Sequence, residues 1–241
     1  MSESLNKFNY IEKNLNIIRD KINKAVSNRD NKYDNGKVRL LAVTKTVGAD
    51  KINFAISKGV DLIGENKVNE LLEKYDRLNK NNLEIHFIGT LQTNKVKYII
   101  DKVNLIQSVN SIRLAEEINK RAYQKNIKMD ILVELNIGEE ESKTGINPKE
   151  TLEFINNLKD FENLNIKGLM TIPPFTEKPE NLKINNFFDE MYKIFVDISS
   201  KKIDNIDMSI LSMGMSGDFE EAISYGANIV RIGTALFGDR Y

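Results

Sequence analysis

Apolar residues at Leu5, Phe8, Ile11, Leu15, Ile18 and Ile22 recur at steps of three and four. That spacing lines one face of a 3.6-residue turn, so 5–26 is predicted to be a long amphipathic helix. The polar stretch NRDNKYDNGK (28–37) follows and reads as a loop. From residue 38 the pattern changes. Short apolar, β-branched runs occupy 38–45, 61–66, 84–89, 104–109, 130–137, 166–172, 206–214 and 228–238. Between them lie amphipathic, helix-like stretches such as 49–58, 67–78, 112–125 and 149–158. A longer one at 183–200 sets Phe187, Phe188, Met191, Ile194, Phe195 and Ile198 on one face.

Strands that are apolar nearly throughout, alternating with helices, predict a parallel sheet covered on both faces. Eight such runs, each followed by a helix except the last, match the count of a single closed (β/α)8 barrel. A doubly wound open sheet is the competing arrangement. The length of 241 residues suits a barrel, which commonly takes about 250. No Pro/Gly/Ser linker, low-complexity tract or residue-level repeat divides the chain. Residues 1–241 are therefore expected to form one domain, with 1–30 as an extra N-terminal helix packed on the barrel.

Composition narrows the function classes. Lys+Arg and Asp+Glu both number 35, so the net charge is zero, which argues against a general nucleic-acid or anionic-membrane binder. The absence of cysteine excludes disulfides, thiolate nucleophiles and Cys-based metal sites. No His/Cys cluster marks a metal site, and Glu139, Glu140 and Glu141 read as a solvated acidic loop. The N-terminus is polar and amphipathic, unlike a signal peptide, and no apolar run approaches the roughly 18 residues of a membrane span. A soluble cytoplasmic protein is the expectation. With no long apolar surface stripe, so is a monomer.

In a barrel, function gathers at the carboxyl ends of the strands. Lys45 ends the run LLAVTK there. An amine near a dry barrel mouth is desolvated, which favours the neutral form that attacks an aldehyde to give a Schiff base. A lysine merely reaching solvent from a strand end is the plainer reading of position alone. The seventh run leads through Ser212, Met213, Gly214, Met215 and Ser216 to a predicted helix start near Asp218. The eighth leads through Arg231 to Gly233 and Thr234. Barrels favour phosphate at these two loops, and Ser216 or Asp218 acting only as a helix cap is compatible with that. Arg231 inside an apolar strand needs a partner or a ligand for its charge, and a structural ion pair would serve equally. Together, Lys45, Arg231 and the Ser216/Gly233/Thr234 anion site suit a phosphorylated aromatic aldehyde. His86 is the only histidine, and within EIHFIG it reads as a packed strand residue. GMSG is not a nucleophile elbow, and no dinucleotide loop or P-loop occurs.

The segments LLAVTKT, GENKVNE, HFIGTLQTNK, NIGEEESKTGI, IKGLMTIPP, LSMGMSGDFEEAI and VRIGTALFG resemble, in order, the signatures of pyridoxal-phosphate homeostasis proteins. The resemblance runs from about residue 38 to the C-terminus. It implies the fold type III barrel, similar to the alanine racemase N-terminal domain, and pyridoxal 5′-phosphate held covalently on Lys45. It further implies Asn66 beside the cofactor, with Ser216, Gly233 and Thr234 on its phosphate. Arg231 would face the pyridine nitrogen, and Ser212 and Met213 would line the pocket. Gly217 and Phe219 depart from the usual family residues beside the phosphate loop. Arginine cannot accept a proton, so it would keep the ring nitrogen unprotonated and the ring a poor electron sink. Racemases of this fold add a tyrosine from a second domain. The barrel uses the whole sequence to Tyr241, so that domain is expected to be absent. The resemblance thus implies a non-catalytic carrier with no catalytic residues, partnering the cofactor and apo-enzymes that need it. The alternative is a racemase-like or lysine Schiff-base enzyme with Glu65 or Glu134 as acid/base.

Overall fold

Alternate residues of the strands enter separate buried clusters. Ala42, Ile63, Ile85, Ile106, Ile131, Leu169, Leu211 and Val230 belong to one large cluster shared with the helices. Leu41, Val43, Leu62, Ile88 and Ile229 form a second cluster, and Leu105, Leu132 and Met170 a third. Side chains of a strand point to opposite faces in turn, so this division marks an outer and an inner face of one sheet, both buried. The computed structural model describes residues 7–140, 143–174 and 182–238. Its strands are β1 (Arg39–Val43), β2 (Leu62–Glu65), β3 (Glu84–Phe87), β4 (Leu105–Val109), β5 (Met129–Leu135), β6 (Leu164–Thr171), β7 (Ile206–Met215) and β8 (Ile229–Ile232). They pair in sequence order, all parallel, and β8 returns to β1 with Leu41 opposite Arg231 and Ala42 opposite Ile232. The sheet is a closed eight-stranded barrel.

The described helices are α1 (Asn9–Ser27), α2 (Ala49–Ser57), α3 (Val68–Tyr75), α4 (Val96–Ile99), α5 (Ile112–Gln124), α6 (Thr151–Leu158), α7 (Leu182–Ser200), α8 (Phe219–Ser224) and α9 (Thr234–Phe237). The sequence pattern locates the long ones. Its eighth run, 228–238, is one strand in expectation but divides here: β8 stops at Ile232 and α9 follows, so the last strand also has a helix. The expected loop 28–37 carries a 3-10 turn at Asn31–Tyr33, where the Asp30 carboxylate accepts from the Lys32 amide at 2.9 Å.

With only four residues, α9 covers little of the barrel wall beyond β8. Helix α1 covers it instead, burying Ile11, Leu15, Ile18, Ile22 and Ala25 against that flank. Its polar edge is tied at both ends. Tyr10 Oη donates to the Phe237 carbonyl at 3.3 Å and Asn14 Nδ2 to the Leu236 carbonyl at 3.1 Å. Arg19 Nη2 donates to the Gly59 carbonyl at 2.7 Å, just before β2. The N-terminal helix therefore braces the loop that carries Gly233 and Thr234. No described helix is long and apolar enough to cross a membrane.

Candidate cofactor site at the barrel mouth

Lys45 lies two residues past the end of β1, half-buried, in register with the inward residues Leu41 and Val43. The backbone around it is fixed from the outer side of the barrel. Lys74 of α3 is buried and donates to the Thr44 carbonyl (2.9 Å), the Val47 carbonyl (3.2 Å) and Glu65 Oε1 (2.8 Å). The Thr44 hydroxyl bonds the Glu65 carboxylate and the Gly64 carbonyl. Thr46 sits in the left-handed region at φ 61° and donates its amide to Glu70 Oε2 at 2.7 Å. The turn bearing Lys45 is thus held on both sides by a buried ion pair. Burial raises the Glu65 carboxyl, while the Lys74 and Thr44 hydrogen bonds pull it back. This carboxylate faces α3, on the helix side of the sheet.

The loops after β7 and β8 meet. Gly214, at φ 90°, turns the end of β7 over α8, where an added Cβ would run into Ala222 and Phe219. Asp218 accepts the Met215 amide at 2.5 Å and so closes the turn that carries Ser216. The Ser216 hydroxyl oxygen receives the Gly233 and Ala235 amides, each at 3.4 Å. Bonds of that length are weak, so two backbone donors converge on one point with most of their capacity left. Thr234 is exposed at the rim beside them.

Arg231 is 4% exposed and points into the barrel. Its Nη1 donates to Ser212 Oγ at 2.8 Å and its Nη2 to the Thr171 carbonyl at 2.6 Å. Among the described residues no carboxylate forms an ion pair with it. Burial lowers the guanidinium to about 10, with Asp218 and Glu134 opposing, so it stays protonated near neutrality. Asn66, half-buried at the end of β2, has a buried Oδ1 without a partner among the described residues. Met213 alone is turned away. Its side chain joins the outer core, while the neighbouring Ser212 takes the inward position of β7.

Sequence reasoning passed over several participants. Lys74 reads as one polar position on an amphipathic helix, and Gln107 as a polar interruption of a strand; only their buried partners reveal them. Glu134 of β5, already a candidate acid/base from the sequence, is 6% exposed at the mouth and receives Asn110 Nδ2 (3.1 Å) and the Thr144 hydroxyl (3.0 Å). Burial raises its carboxyl. Among the described residues no His/Cys/Asp/Glu group could hold a metal ion.

Residues 15–241 match the family model described as alanine racemase, N-terminal domain. A Clostridium difficile alanine racemase superposes with a TM-score of 0.73 at 19% identity, covering 95% of this chain and 56% of its own, a likeness of fold. The barrel is of the alanine racemase N-terminal kind. A pyridoxal phosphate homeostasis protein of Aquifex aeolicus is 45% identical over 207 residues, 84% of this chain and 87% of the relative. One from Haemophilus influenzae is 36% identical over 232 residues, 95% and 96% of the two chains. PipY of Synechococcus elongatus, solved with PLP bound, has a TM-score of 0.80 at 27% identity and covers 95% of this chain and 100% of its own. The chain belongs to the pyridoxal phosphate homeostasis protein family.

Proposed function

We propose that the barrel mouth binds pyridoxal 5′-phosphate (PLP) as a Schiff base on Lys45, and that the protein buffers the cofactor and hands it on without catalytic turnover. The observation that carries this reading is the closure of β8 onto β1. The register, with Ala42 opposite Ile232, supports it: Lys45 and Gly233 follow at the ends of paired strands, and Ser216 adjoins Gly233 from β7. The residues present fit the group. Two convergent amides and the Ser216 hydroxyl suit a phosphate, the unpartnered Asn66 Oδ1 awaits a donor, and Arg231 retains free donor capacity. Thr234 adds a hydroxyl at the rim, Ser212 orients Arg231, and Met213 contributes backbone. Bound there, the cofactor supplies an aldehyde for the lysine and an aromatic ring that could stabilise charge.

The chain's own residues restrain that second capacity. Arg231 has no lone pair to accept a proton, so toward a ring nitrogen it can only donate. The nitrogen it meets stays unprotonated, which weakens the ring as an electron sink. Glu65 is committed to Lys74 and Thr44 on the helix side. We read residues 1–241 as one PLP-binding barrel domain. The protein would act as a monomer, since the exposed Ile17, Tyr98, Tyr123 and Val196 are scattered over α1, α4, α5 and α7. Its partners would be apo-enzymes that use PLP.

One observation favours an enzyme: Glu134, buried at the mouth with a raised carboxyl, has the character of an acid/base. Incubating PLP-loaded protein with D- and L-amino acids in deuterium oxide separates the readings. A carrier gives no α-proton exchange above the free cofactor and restores activity to an apo-enzyme. Exchange at a catalytic rate, lost in Glu134→Gln, would overturn the carrier.

A further inference from the structure

Arg231 is the upper end of a chain of buried polar side chains that crosses the barrel. Ser212 Oγ, which receives Arg231 Nη1, lies 2.7 Å from Gln107 Oε1 on β4. Gln107 Nε2 lies 2.9 Å from His86 Nδ1 on β3. His86 Nε2 lies 3.5 Å from Glu84 Oε2, and Arg39 Nη1 meets that same oxygen at 2.9 Å. Ser212 and Gln107 are fully buried and His86 is 2% exposed, whereas Glu84 and Arg39 reach solvent at the opposite end of the barrel.

The arginine end sets one sense for the three hydrogen bonds, and the Glu84 contact at the other end agrees with it. Arginine can only donate, so the Ser212 oxygen accepts and its proton goes to Gln107. The Gln107 oxygen is then an acceptor, and its amide nitrogen donates to His86 Nδ1. That leaves the His86 proton on Nε2, directed at Glu84, which as a carboxylate can only accept. Donors aligned head to tail polarise one another, and an interior of low dielectric strengthens each link.

We infer that Gln107 and His86 are positioning residues for Arg231: through Ser212 they fix how the guanidinium is presented to the bound cofactor, and they link it to the far end of the barrel. The inference rests on the reading that Arg231 meets the cofactor ring. If Gln107 is lost, Ser212 has no buried acceptor for its proton and its hold on Arg231 loosens. An Asn or neutral His at 107 could pass the same donor–acceptor sense, whereas Leu could not.

The test uses the full chain. With one histidine in the sequence, protein labelled with 15N-histidine gives a single imidazole pattern. Near pH 7 the expected pattern is a neutral ring protonated at Nε2. Adding PLP should shift it in the wild type, and should leave it unmoved in Gln107→Leu. In that variant the PLP dissociation constant should rise about tenfold, the loss expected for one hydrogen bond to a charged group, and Gln107→His should recover most of it. Thermal melting checks that each variant is folded; the wild-type tautomer and its response to PLP stand even if Gln107→Leu does not fold. A ring protonated at Nδ1, or a wild-type imidazole indifferent to PLP that demonstrably binds, would overturn the inference. A wild type that binds no PLP at all would instead overturn the proposed function.

Discussion

Lys74 and Glu65 show how much of the support for the proposed site lies outside it. Their side chains are 9% and 0% exposed; Lys74 donates to the carbonyls on both sides of Lys45, and Glu65 accepts from Lys74 and the Thr44 hydroxyl. Breaking a buried pair strands the other charge, so Lys74→Met is expected to cost about 3–5 kcal/mol in denaturant unfolding. A loss below about 1 kcal/mol would mean the pair is dispensable. His86 supplies a pH signature. Burial keeps its imidazole below the ordinary value of about 6.5. The unfolded chain therefore takes up the proton first as pH falls. Stability is fully present above pH ~6.5 and is lost below it, with a slope of at most about 1.4 kcal/mol per pH unit. Unfolding measured at pH 5.5 and 7.5 should show this loss relative to His86→Gln, in which it is absent; parallel behaviour of the two proteins would contradict it. At this scale the sequence was readable only where position carries meaning. Lys45, Ser216 and Arg231 stand at or near strand ends that the apolar runs mark. Gln107, His86 and Lys74 owe their roles to partners on other elements, which no local pattern encodes.

Among elements, α1 combines the clearest sequence signal with a task the pattern does not reveal. Its apolar face follows from the steps of three and four. That the face meets the flank beside β8, and that Tyr10 and Asn14 hold the α9 turn, follows from barrel closure. Leu15 is fully buried on that face, so Leu15→Ala is expected to cost about 2–5 kcal/mol of stability by chemical denaturation. A cost near zero would show that α1 rests loosely on the barrel. The one-turn helices α4 and α9 escaped the periodicity because four residues supply no repeat to detect. For α9 the omission matters, since Gly233 and Thr234 lie where β8 gives way to it.

For the whole molecule, the count of eight apolar runs foresaw the closed barrel, since strands buried on both faces would suit an open doubly wound sheet equally. The same closure pairs β1 with β8 and so brings together the strand ends on which the proposed site is built. Polar residues inside the barrel were harder to foresee, since a buried Gln or Arg interrupts a strand without announcing its cross-barrel partner. The reading as a PLP carrier depends most on Lys45. The visible spectrum of purified protein mixed with PLP, recorded before and after borohydride for the wild type and Lys45→Ala, tests this directly. The wild type should show a visible Schiff-base band that borohydride converts to a permanent adduct, and folded Lys45→Ala should show neither. A wild type without the band, or a Lys45→Ala protein that still forms the adduct, would contradict it.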